Sequence, residues 1–267
     1  MTTRTSDRLP AVDDHFIREG AGVEVVRGFV VMAPPNDEAK ATIHLRLASV
    51  LGAHVSAGWV GALDMLTRTS TDSDFAPDAS VFPAARDPRT GGRQLEELAF
   101  EIASTHPLDT VGEKARELVR RGVRRVFCIV VKHRRLLEWS RETDTWSPMP
   151  DVASIDDRCF VRPLPVRALV DAAAADEAVA RALIARGHPL LRELEARGEA
   201  RGEARGEARG RAEGLARGLL AVFAARGLAP TDPQLNAIEA ADAGHLSAWL
   251  DAALTAPTVE AALSARP

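Results

Sequence analysis

Tyrosine is missing altogether from this chain of 267 residues, aromatic residues make up only 4% of it, and just two cysteines occur. So little aromatic surface argues against a stacking platform for single-stranded nucleic acid. Cys128 and Cys159 have neither a second cysteine nor a histidine at zinc-ligand spacing. They read as core thiols in a reducing compartment, and a cytoplasmic location is expected. No apolar run approaches the ~20 residues that span a bilayer, so no membrane partner is expected. The opening MTTRTSDRLPAVDD has no signal-peptide core. TGGRQ at 90–94 lacks the Lys-Ser/Thr of a phosphate-binding loop, and there is no G-x-S-x-G elbow for acyl transfer.

What is present is a soluble-domain composition, 46% hydrophobic and 27% charged, with a net charge of −4. The charge is uneven. From Lys114 to Arg135 nine Lys or Arg stand against Glu117 alone, a local +8. Clustering of this kind suits a phosphate-binding face, with Arg116, Arg120 and Arg124 as candidate nucleic-acid contacts. A solvated helix and hairpin would carry the same residues.

Periodicity sets the coarse architecture. VEVVRGFVVMAPP reads as a hairpin turning at Arg27-Gly28 and stopped by Pro34-Pro35. Residues 1 to 20 are polar, either loosely ordered or a short leading helix. Ala39, Ile43, Leu47, Val50, Leu51 and His54 recur at helical steps, which predicts an amphipathic helix over 37–56. WVGALDMLTR, DASVFP and ELAFEIAS read as strands, and residues 109–121 as a helix capped by Asp109 or Thr110. RRVFCIVVK and RLLEWS follow as strands joined at His133-Arg134. Residues 1–165 therefore read as one α/β domain with a mixed central sheet flanked by helices. Beyond it the composition turns to Ala, Arg, Glu and Leu, predicting a long helical segment over 166–227, as one helix or two in series. A small helical tail follows over 228–267.

Within the helical segment, residues 195–210 read EARGEARGEARGEARG. At about 100° per residue, each residue type of a four-residue repeat forms a stripe that winds by about 40° per repeat. Like charges fall at i,i+4, and six glycines from Gly198 to Gly218 each cost about 1 kcal/mol relative to Ala. Such a helix makes sense if a second one approaches its small-residue stripes while Glu faces Arg. The segment 195–218 is thus a candidate coiled-coil-like homodimer element, or else a solvated spacer.

The chemistry is concentrated elsewhere. Glu101 interrupts the apolar run between Phe100 and Ile102, a costly position unless the carboxylate is paired, protonated or bound to a metal. Asp78 follows Pro77 at the mouth of a short strand, and if the two strands are neighbours the carboxylates converge. Hard oxygen ligands favour Mg²⁺, with Mn²⁺ as a substitute, and such an ion activates water and neutralises a phosphodiester transition state. Lys114, thirteen residues on, adds a positive charge for the attacked phosphate.

In this order, EVVRGFVVMAPP, a helix containing His44, PD, FEIAS and Lys114 before RRGV resemble the Uma-type family. That family is a restriction-endonuclease-like branch of the PD-(D/E)XK nuclease superfamily, and the likeness covers roughly residues 15–150. It implies a restriction-endonuclease-like core, with Asp78 and Glu101 as metal ligands. It also implies a catalytic lysine displaced from the strand, where Ala103 stands, onto the helix at Lys114. Glu24 and His44 match two further family positions, as an auxiliary ligand and a polar group beside the site. The chain departs from the family pattern at Leu118, where an aromatic residue is usual, and at VVKH, where the later strand often ends in Asp. The expectation is a metal-dependent nuclease acting on DNA. The alternative is an inactive nuclease-fold module that binds DNA or assembles with itself.

Overall fold

A computed structural model describes residues 9–18, 20, 22–32, 36–105 and 107–267. The expected stop at Pro34-Pro35 lies outside them, as does the start of the polar leader. Of that leader, residues 9–18 contain no helix.

The chain divides into two compact units, Met1–His188 and Pro189–Pro267. In the first, β1 (Val23–Val26) and β2 (Phe29–Met32) form the expected hairpin. It turns through Arg27 and Gly28 at φ 53° and 79°, the two left-handed residues that a tight hairpin favours. Helix α1 (Glu38–His54) starts at Asp37, whose carboxylate accepts the Lys40 amide at 2.8 Å. The run read as the single strand WVGALDMLTR is two, β3 (Trp59–Leu63) and β4 (Thr67–Arg68), broken at Asp64 with φ 48°. Next come β5 (Asp74–Phe75), β6 (Ala79–Pro83), β7 (Leu98–Ala103), α2 (Leu108–Arg121), β8 (Arg125–Val130), β9 (Arg135–Ser140) and β10 (Thr145–Pro148). The unit closes with β11 (Ser154–Ile155), β12 (Leu164–Pro165), α3 (Arg167–Val170) and α4 (Ala172–Ala185).

Six strands form the main sheet in the order β10-β9-β8-β7-β6-β3. Only β7 and β8 run parallel, joined by α2 as the crossover, so the sheet is mixed. A second sheet, β2-β1-β5-β4, carries the hairpin. Every residue of β7 is buried, which is what a strand covered on both faces requires. Its alternation sorts the faces. Leu98, Phe100 and Ile102 join the core that contains Leu47, Val50 and Leu51 of α1. Ala99 and Ala103 pack on the opposite side, with Ala115, Leu118 and Val111 of α2. Glu101 shares that second face by period two, and the small alanines on either side of it let α2 lie close.

Two expectations change here. Pro107, not Asp109 or Thr110, occupies the N-cap of α2, and no side chain caps it. Both polar residues lie inside the first turn, and the helix starts after Pro107, whose ψ of 142° is non-helical. The first unit also runs past the compositional break at 165, because Ala168, Leu169, Val170, Ala175 and Ala178 fill the same core as α1 and β7.

The second unit begins with α5 (Pro189–Ala225), so the Ala-rich segment is two helices in series, separated at Gly187 and His188. Helices α6 (Asp232–Ala240), α7 (Ala243–Ala253) and α8 (Val259–Leu263) pack on the C-terminal part of α5 around Leu219, Phe223, Ile238 and Leu246. The repeat itself makes no such packing. Residues 192–211 are exposed, and a Cβ added at any glycine from Gly198 to Gly214 would meet open space.

Candidate functional site

The first unit carries an open cleft of about 470 Å³, bordered by β1, the start of α1, Asp64, the mouth of β6, Glu101 on β7 and one face of α2. Among the described residues Glu24, Asp37, Asp64, Asp78 and Glu101 line it, against Arg18, Lys40 and Lys114. With all of these ionised the wall carries two net negative charges, the charge that one divalent cation neutralises.

Asp78 is held at both oxygens. Its Oδ2 accepts the Ile102 amide at 2.6 Å, which ties the residue preceding β6 to the centre of β7. Its Oδ1 lies 2.9 Å from Lys40 Nζ. Glu101 stands one residue before that amide, beside Cys128 in the parallel register, and is only 4% exposed. Its Oε2 lies 4.0 Å from Lys114 Nζ, whereas its buried Oε1 has no hydrogen-bond partner among the described residues. Burial pushes the Glu101 carboxyl up to about 8; Lys114 opposes the shift, and the charges of Asp78 and Glu24 add to it. The same surroundings raise the Cys128 thiol to about 12, chiefly by burial, so it is inert as a nucleophile.

Lys114 belongs to α2 and reaches Glu24 Oε2 on β1 at 2.6 Å. Burial alone would lower its pKa, but the charges of Glu101 and Glu24 and the Glu24 hydrogen bond outweigh that, and the ammonium is stabilised. Glu24 is fixed in turn, its Oε1 accepting the Ala76 amide at 3.0 Å. Asp78, Glu101, Lys114 and Glu24, from four separate segments, thus share one cleft wall.

His44 lies beneath the wall. Its Nε2 donates to the Asp78 carbonyl at 2.8 Å, and its Nδ1 is 3.5 Å from Asn36 Nδ2. Ligand atoms of His44, Asp64 and Asp78 lie within 4.8 Å of one another, a spacing that could hold a metal ion. With Nε2 committed as a donor to the Asp78 carbonyl, His44 orients Asp78, and any ligation by His44 would fall to Nδ1. Asp78 and Glu101 fit a hard divalent cation better, since Glu101 supplies a buried oxygen with no hydrogen-bond partner among the described residues.

The arginines are placed differently. Arg116 is paired with Asp144 at 2.7 Å and Glu113 at 2.6 Å, and Arg124 with Glu97 and Asp157, each at 2.7 Å. Arg125 pairs with Glu138 at 2.6 Å, and Arg120, 60% exposed, with Glu117 at 3.3 Å. None of them lines the cleft. Arg116, Arg124 and Arg125 are therefore answered by carboxylates distant along the chain, and Arg120 by Glu117 within the basic run itself. Lys40 and Asp64 are the residues that sequence reasoning missed; the break at Asp64 appears only in the fold.

The family model "Uma2: Putative restriction endonuclease" matches residues 7–158. A crystal structure described as a putative nuclease belonging to DUF820 from Anabaena variabilis ATCC 29413 is similar at 16% identity. That likeness covers 57% of this chain and 90% of the other, with a TM-score of 0.47. No curated protein matches the chain. Among the described residues no helix is long and apolar enough to cross a membrane.

Proposed function

The chain belongs to the Uma2 family, and from that premise we propose that it is a metal-dependent nuclease that hydrolyses phosphodiester bonds in DNA. Asp78 and Glu101 hold the cation and Lys114 assists at the phosphate. The observation that carries this reading is Glu101, a buried carboxylate with one oxygen unpartnered among the described residues, between Asp78 and Lys114 in an open cleft. Bound there, Mg²⁺ or Mn²⁺ would supply Lewis-acid activation of a water and neutralise charge developing on the phosphate. The protein's own part is to hold the Asp78 carboxylate rigid through the Ile102 amide and to keep Lys114 protonated beside Glu24 and Glu101. His44 fixes the Asp78 backbone. Arg120 is the readiest of the three arginines for a backbone phosphate; Arg116 and Arg124 would have to exchange carboxylate partners for it. The two buried cysteines suit a cytoplasmic setting.

The test is cleavage of supercoiled plasmid with Mg²⁺, Mn²⁺ or EDTA. Metal-dependent nicking is expected; metal-independent DNA binding with no cleavage would favour the inactive module instead. Metal binding should also report on Glu101 without turnover. The metal-free carboxyl titrates at about 8 and must be ionised to ligate. Mn²⁺ affinity by calorimetry should therefore tighten about tenfold per pH unit from pH 6 to about 8, then level, with proton release. A flat profile would remove Glu101 from the ligand set.

We further propose that α5 pairs with the same helix of a second copy. In the repeat Glu and Arg stripes flank the Gly stripe on opposite sides, and the only α5 ion pairs found within the helix, Glu193–Arg197 and Arg209–Glu213, each use a residue outside that pattern. Parallel pairing sets the Glu flank of one helix against the Arg flank of the other; antiparallel pairing sets like against like. Light scattering should give twice the mass of the 28.6 kDa chain. A monomer at all concentrations would leave the repeat as a spacer.

A further inference from the structure

Among the described residues, Lys40 is the cation of the cleft wall that lies at hydrogen-bonding distance from Asp78 or Glu101. Its Nζ lies 2.9 Å from Asp78 Oδ1, and its side chain is 19% exposed on the first turn of α1. The other Asp78 oxygen is occupied by a main-chain amide that cannot leave without breaking into β7. Lys114 differs: it is anchored on Glu24 at 2.6 Å and approaches Glu101 only at 4.0 Å. A divalent cation that takes the Asp78 carboxylate therefore competes with Lys40 for the free Oδ1 side. An ammonium and a divalent cation a few ångströms apart repel strongly in a partly desolvated wall, and four rotatable bonds give Lys40 a way out.

We propose that Lys40 is a displaceable counter-ion and a substrate-binding residue. In the metal-free protein it neutralises Asp78. When the cation takes Asp78, the Lys40 ammonium is released into the cleft and binds a phosphate oxygen of the nucleic acid. This rests on the metal-binding reading above and adds to it a coupling. The cleft gains a phosphate-binding positive charge only when the cation is in place, so substrate affinity and metal occupancy rise together. Ser104 and the Lys40 amide already bond the Asp37 carboxylate next to it, which leaves Asp64 as the carboxylate of the wall that competes with the phosphate for the released ammonium.

The experiment measures binding of a short fluorescent DNA duplex to the full chain, with EDTA or with Ca²⁺, a hard oxygen-seeking cation. Wild type, Lys40→Gln and Lys40→Arg are compared, and the duplex is checked for integrity afterwards. Without metal, Lys40→Gln should change DNA affinity by less than about twofold, because Lys40 is then tied to Asp78. With Ca²⁺ it should weaken affinity about tenfold and flatten the log–log salt slope by about one. Lys40→Arg should keep most of the affinity, and matching thermal melts would show that the variants are folded. Calorimetry on Lys40→Gln should give Ca²⁺ affinity equal to or tighter than wild type. Equal weakening with and without Ca²⁺ would make Lys40 a fixed surface cation and overturn the proposal. So would no weakening in either condition. Failure of the wild type to bind Ca²⁺ at all would instead take down the metal-site reading on which the proposal stands.

Discussion

Glu101→Gln is expected to abolish cleavage and, at the same time, to make the metal-free protein harder to unfold at alkaline pH. The first effect follows from removing one of two proposed ligands, which costs several kcal/mol of transition-state charge stabilisation and so roughly 10³-fold or more in rate. The second follows from linkage. The Glu101 carboxyl titrates near 4.5 when solvated and at about 8 in the fold. Between those values the folded chain holds a proton that the unfolded chain releases. Stability therefore falls as the pH rises through this window, and the whole penalty is present above about 8. Glutamine keeps the shape and carries no charge to desolvate. At pH 9 the variant should be more stable by a few kcal/mol, on the order of 1.4 per unit of pKa shift, and near pH 4 the difference should vanish. Denaturant melts of both proteins with EDTA at pH 4, 7 and 9 measure it. A variant less stable than wild type at pH 9 would mean that Glu101 is a structural partner of Lys114 and not a carboxylate kept against its cost.

That cost is what made the site legible in the sequence. Phe100-Glu101-Ile102 is a local contradiction between pattern and residue, of the kind that marks function. Asp78 after Pro77, Glu24 in the hairpin and Lys114 on the crossover helix could then be named from motif order, and all four line one cleft. The mixed sheet was legible because the β-branched runs and the α2 crossover are local signals. Other features depend on contacts far apart in sequence. Lys40 reads as an ordinary solvated residue at a helix start, and only the fold puts Asp78 beside it. Asp64 sits in WVGALDMLTR, which reads as one strand, and its left-handed backbone has no glycine to announce it. The basic cluster misled for the same reason. Arg124 meets Asp157, whose side chain is buried and held at about pKa 2 because the Arg124 hydrogen bond and the Cys159 amide outweigh the burial that opposes them. No window of sequence around Arg124 contains that partner. Composition likewise placed a boundary at 165, where packing places none, because an alanine-rich helix can serve a core as readily as a spacer.

Lys114→Met should be among the most damaging single changes to the fold, and its combination with Glu24→Gln separates structure from chemistry. Methionine fills the aliphatic volume but leaves the carboxylates of Glu24 and Glu101 facing each other, both almost fully buried. Removing one partner from a buried pair costs about 3–5 kcal/mol, because the remaining charge is uncompensated. The loss should be largest at pH 9 and shrink towards pH 5, where Glu101 holds its proton, and Mn²⁺ should return part of it by neutralising the same carboxylates. Cleavage should fall at least about 10²-fold. In the double variant Glu24→Gln/Lys114→Met the ammonium and one of its two carboxylates leave together, so most of the stability should come back, a coupling well above the ~0.5 kcal/mol expected of independent sites. If Lys114 only balances charge, cleavage returns with it. If Lys114 acts on the phosphate, the double variant is stable and still inactive, which is the expected result. Both quantities come from the same four proteins, by denaturant melts at two pH values and a plasmid-nicking time course.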